Sequence, residues 1–125
     1  MTTNHFRILY TIAFFLLIFV SGFGLSRSGR PYGVLLLTVH KLLSVGAVVF
    51  LTVVIVRVNQ SVGLSSTELI AAVITGLLFL GTIATGGLLS TAKPMLAIVH
   101  QLHQIGPFPI LASTALTLYL LLFRK

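Results

Sequence analysis

The sequence predicts an all-α fold: an integral membrane four-helix bundle built from two duplicated helical hairpins with pseudo-twofold symmetry. Three observations predict it. Of 125 residues, 57% are apolar and 7% charged, against roughly 25% charged in soluble domains. The apolar residues fall into four runs, about 6–25, 32–56, 68–89 and 95–123. Each is about as long as the roughly 20 residues that cross a bilayer. Finally, the second half of the chain repeats the first, a kind of signal that overrides local propensity.

In the first span, Phe6–Leu25, Arg7 precedes an apolar stretch, which has the outline of a cleavable signal peptide. It is long for a signal h-region, and its far end recurs inside the chain, so it is read as a retained helix. The second span covers 32–56. The third opens on Glu68, the one acidic residue of the chain, whose charge is favourable near a helix N-terminus. The fourth covers 95–123 and contains Pro107 and Pro109, which should kink it and release backbone carbonyls. Short connections, Ser26–Pro31, Arg57–Thr67 and Ser90–Pro94, leave no residues for a soluble domain, so 1–125 is a single transmembrane domain.

Eight basic residues against one acid would suit a nucleic-acid binder, but their positions do not. Arg7, Arg27, Arg30, Arg57, Lys93, Arg124 and Lys125 stand at the ends of the apolar runs, where they anchor spans in headgroups. With no cysteine in the chain, a disulfide framework, a thiolate zinc site, an iron–sulfur cluster and a c-type haem attachment are excluded.

The repeat is carried by ordered matches. Ser21-Gly22 matches Thr85-Gly86, Leu25-Ser26 matches Leu89-Ser90, and Arg30-Pro31 matches Lys93-Pro94. Val39-His40-Lys41-Leu42 then matches Val99-His100-Gln101-Leu102, and each stretch ends in a glycine, Gly46 or Gly106. Because each copy contributes two spans, both enter the membrane from the same side. The repeats are therefore expected to be parallel, related by an axis along the membrane normal. Their histidines should lie near one membrane face.

Histidine in hydrocarbon is expensive and marks a site. A duplicated histidine suggests a symmetric ligand pair, and haem iron is what such a pair holds. His40 lies nine residues beyond Pro31, roughly 13 Å down a helix. His100 lies six beyond Pro94 and His103 nine. The repeat alignment favours His100 as the mate of His40, and depth favours His103. Both stand as candidate ligands, the other expected to point towards a propionate or a redox partner. Gly22 and Gly86, on the spans without ligands, are expected to give a porphyrin clearance, while Arg30, Lys41 and Lys93, with Arg27, would neutralise its propionates.

On these residues the chain resembles a four-helix integral membrane b-type cytochrome, broadly of the cytochrome b-561 kind. The resemblance rests on histidines in spans two and four and glycines on the neighbouring spans. It implies bis-histidine haem b, electron transfer and often a quinone as donor or acceptor. Relatives of that kind often carry two haems, one near each face. Here the inner halves of spans two and four, Phe50–Val56 and Thr114–Phe123, contain neither histidine nor methionine, so one haem is expected. The expected setting is a prokaryotic cytoplasmic membrane with both termini in the cytoplasm. Expected partners are the lipid bilayer, a quinone, a redox protein or larger membrane complex, or a second copy, and no nucleic acid. Two other readings remain open: a cofactor-free structural or assembly subunit, and a small copper-handling protein using His100, His103 and Met95.

Overall fold

The computed structural model describes residues 2–29, 31–91 and 97–123. These are helical almost throughout: α1 (Thr3–Ser28), α2 (Val34–Val62), α3 (Ser66–Leu89), α4 (Ala97–Ile105) and α5 (Pro107–Leu122). Four stretches are long and apolar enough to cross a membrane: α1, α2, α3 and the pair Ala97–Leu122.

α1 outruns its apolar run at both ends and α3 at its start, because capping, not hydropathy, sets those ends. Thr2 caps α1 through its side chain, which accepts from the His5 amide. At the other end Gly29, at φ 68°, donates its N–H to the Leu25 carbonyl, a left-handed position that glycine takes without a Cβ penalty. Ser65 caps α3 in a reciprocal capping box: its hydroxyl accepts from the Glu68 amide, and the Glu68 carboxylate accepts from the Ser65 amide at 2.9 Å. That bond accounts for a carboxylate that is buried at its helix end. His5 is exposed, with Nδ1 2.6 Å from the Thr2 hydroxyl.

The last span is interrupted at Gly106. α4 ends at Ile105 and α5 restarts with Pro107 in its first turn. Pro107 and Pro109 carry no N–H, so the carbonyls of His103 and Ile105 lose their intrahelical donors.

The chain divides into two compact units, Met1–Val53 and Val54–Lys125. In the first, α1 runs antiparallel to α2. The Phe50 ring meets Tyr10 edge-on at 6.0 Å and Phe14 at 5.7 Å. Gly46 lies against Phe14, and Gly24 against Leu36. In the second, α3 packs on α4 and α5, joined by hydroxyls. Thr75 Oγ1 lies 2.5 Å from Ser113 Oγ and 3.0 Å from Thr117 Oγ1.

Candidate functional site

Each unit seats one imidazole against a glycine. In the first, His40 of α2 lies on α1. Its Nδ1 is 2.8 Å from Ser21 Oγ, and that hydroxyl donates its single proton to the Ile18 carbonyl at 3.1 Å. With the hydroxyl so turned, Nδ1 is the donor of the pair; turned towards Nδ1, the hydroxyl donates instead, and the imidazole tautomer sets which. The next residue, Gly22, makes the contact feasible: a Cβ there would stand 3.0 Å from His40 Cε1.

In the second unit, His103 of α4 lies on α3 in the same manner. Its Nδ1 is 2.9 Å from the Thr82 carbonyl oxygen. A carbonyl only accepts, so here Nδ1 carries the proton and Nε2 the lone pair. Thr85 Oγ1 donates to the same carbonyl at 2.9 Å and sits 3.3 Å from Nδ1. Gly86 follows, and a Cβ there would fall 2.6 Å from His103 Cε1.

Thus what Gly22 and Gly86 clear in the structure is the imidazole of their own hairpin. The expected space for a porphyrin is not the contact they make.

The register of the buried faces pairs these histidines. α1 buries Thr11, Phe15, Ser21 and Leu25. α3 buries Thr75, Phe79 and Leu89, with Thr85 half-buried, each of the four 64 residues after its counterpart. The hydroxyl bonds repeat as well: Thr11 and Thr75 both donate to the carbonyl four residues back, at 2.8 Å each. On the facing helices, Ala47, Leu51, Val54 and Val58 are buried in α2. Ile110, Thr114, Thr117 and Leu121 are buried in α5, each 63 residues later. His40 and His103 are separated by the same 63.

His100, which the repeat alignment preferred, occupies a different place. It is exposed, one turn before His103, while His103 is half-buried. The local string Val-His-x-Leu is shared, but it lies a helical turn out of step with the buried faces. Lys41 is exposed on the residue after His40. Arg30 and Lys93 lie outside the described residues.

Sequence reasoning paired Ser21 with Thr85 but gave neither a role, and it passed over Thr82. The signal was present: the unbroken 64-residue offset that also relates Thr11 to Thr75 and Phe15 to Phe79.

Chemically, the arrangement offers two imidazoles, each anchored at Nδ1 on a neighbouring helix. Metal-ligating histidines are oriented in this way, which fixes the tautomer and raises the basicity of the other nitrogen. Among the described residues no group of three or more His, Cys, Asp or Glu side chains gathers to hold a bare ion. Each unit by itself offers one imidazole, the kind of side chain that ligates haem iron. No protein-family model, curated protein sequence or solved structure matches the chain.

Proposed function

We propose that the chain is an integral membrane b-type cytochrome that binds one haem b, with His40 and His103 as the axial ligands. The observation that supports this reading is the matched pair of imidazoles, one per hairpin, each anchored through Nδ1 on the neighbouring helix. His40 and His103 would hold the haem, which would supply a one-electron centre.

The chain's own residues hold the imidazoles. Ser21 and the Thr82 carbonyl fix ring orientation. Gly22 and Gly86 let each ring approach the neighbouring helix. Lys41, with Arg30 and Lys93 by their place in the sequence, supplies positive charge for the propionates. The two hairpins derive in this reading from one duplicated ancestor, and the repeated offsets of 64 and 63 support it. Four long apolar helices support a membrane location, here a prokaryotic cytoplasmic membrane with cytoplasmic termini. Electrons arrive from a quinol or a redox partner and leave to another protein. The chain acts alone or as a subunit of a membrane oxidoreductase.

The test is spectroscopic. The purified chain should give a reduced-minus-oxidised b-type band with one haem per chain. His40→Ala and His103→Ala should each abolish the low-spin bis-histidine signature, and His100→Ala should retain it. Stoichiometric copper without haem, or a b-type band that persists in the His40→Ala/His103→Ala double variant, would overturn the reading.

A further inference from the structure

α4 carries polarity on two faces. One face holds His103 against α3. On another, Ala97, His100, Gln101 and Gln104 are all exposed. Their spacing of three, four and seven places them along one stripe of the helix. The rest of the exposed helix surface is apolar: Ile98, Leu102 and Ile105. The fold does not demand this stripe, since the positions 63 residues earlier are Leu37, Thr38 and Lys41.

Gln101 and Gln104 are costly on a surface that faces lipid. Each amide has two N–H donors and a carbonyl acceptor, and acyl chains satisfy none of them. Lysine at the corresponding position can extend its charge along a four-carbon stem to the headgroups. Glutamine is shorter, and Gln104 stands at the depth of His103, two turns inside α4. The stripe therefore requires a partner that both donates and accepts. A carboxylate only accepts and an ammonium only donates, so neither answers it. Another glutamine amide does both at once, through a reciprocal pair of N–H···O=C bonds. A twofold axis along the membrane normal brings the same residue of two copies to the same depth, so the stripe is complementary to itself. Ala97, at its outer end, permits close backbone approach.

The geometry points to a parallel homodimer of this chain, joined within the bilayer along α4 by Gln101 and Gln104 of each copy. This interface does not depend on the haem reading.

The chain contains no cysteine, so single-cysteine variants report contact without background. Gln101→Cys and Gln104→Cys each leave the other amide in place. Leu102→Cys is a control of similar exposure on a different face of the same helix. Reconstituted in phosphatidylcholine vesicles and oxidised, the two glutamine variants should cross-link to dimers and the leucine variant should not. In a fluorescence-transfer dilution series, Gln101→Leu/Gln104→Leu should weaken association about tenfold, as expected for the loss of interhelical amide bonds. A monomer at every protein-to-lipid ratio overturns the proposal. So does cross-linking at Leu102→Cys equal to that at the glutamines, or association unchanged in the double leucine variant. The two readings fail separately: a dimer without a b-type band defeats only the haem, and a monomer with the band defeats only the dimer.

Discussion

The two hairpins place the same kinds of contact at the same positions and make them from different chemistry. Where the first packs the Phe50 ring on Tyr10 and Phe14, the second has Ser113 bonded to Thr75. Where the first has Val54 and Leu51, the second has Thr117 and Thr114. Aromatic packing and hydroxyl bonding both bring helices together in an apolar setting. At the histidine end both share a glycine, a hydroxyl residue just before it, and an imidazole seated beside them. At that end each ring must approach a bare helix surface closely and bond it through Nδ1. Even so, the two seats are unequal. His40 Nδ1 is bonded to a rotatable hydroxyl, whereas His103 Nδ1 donates to a fixed backbone carbonyl.

The largest expected difference follows from this inequality. In Gly86→Ala the new methyl would stand 2.6 Å from Cε1 and 3.1 Å from Nδ1 of His103, so the ring must leave the Thr82 carbonyl. Overpacking of this kind costs about 1–3 kcal/mol, only partly offset by the roughly 1 kcal/mol that alanine adds to helix propensity. In Gly22→Ala the nearest atom is at 3.0 Å, and the serine hydroxyl can rotate with the displaced ring. We expect Gly86→Ala to be clearly destabilised and Gly22→Ala to lie within about 1 kcal/mol of the parent. Denaturant unfolding in mixed micelles measures both, and equal losses would break the comparison.

This end of the molecule also shows what could be read in the sequence. The four apolar stretches were legible because lipid-scale hydropathy is a property of composition over twenty residues. Their ends were not, because Thr2, Gly29 and Ser65 set them through single hydrogen bonds and one positive φ. His40 was legible as a histidine set into an apolar helix, and the pairing of Gly22 with Gly86 could be read from the matching strings. The mate of His40 was harder. The short string around His100 is the stronger text match, but packing is decided by which face of a helix is buried. That face can be followed only along the whole helix, through Ala47, Leu51 and Val54 on one side and Ile110, Thr114 and Thr117 on the other. The offset of 63 runs through Gly106 unchanged, from His40 and His103 to Ala47 and Ile110, whereas the short string around His100 is offset by 60.

A smaller difference is expected at the middle of the helices. Thr11 and Thr75 occupy matching positions and make the same bond to their own helix. Thr75 additionally bonds Ser113 and Thr117 of α5. Valine keeps the shape and removes the hydroxyl. Thr75→Val should therefore lose about 1 kcal/mol, the typical scale of interhelical hydroxyl bonds in membrane proteins. Thr11→Val should change stability by less than about 0.5 kcal/mol. If both variants lost the same amount, the hydroxyl contacts of the second hairpin would be contributing nothing beyond packing.

The smallest effect should carry the opposite sign. Thr114 is 2% exposed, and among the described residues its Oγ1 is a buried polar atom with no hydrogen-bond partner. Leu51, 63 residues earlier, shows that an apolar side chain serves at the corresponding position. An unsatisfied buried hydroxyl is a net cost, and an apolar replacement of the same shape removes it. Thr114→Val should raise the unfolding midpoint, by an amount corresponding to roughly 0.5–1 kcal/mol. Set beside Thr75→Val, it separates two hydroxyls on facing helices of one hairpin, one that joins the helices and one that does not. A loss of stability in Thr114→Val would mean that this hydroxyl has a partner in the membrane, such as a buried water, and would move it into the bonded set with Thr75, Ser113 and Thr117.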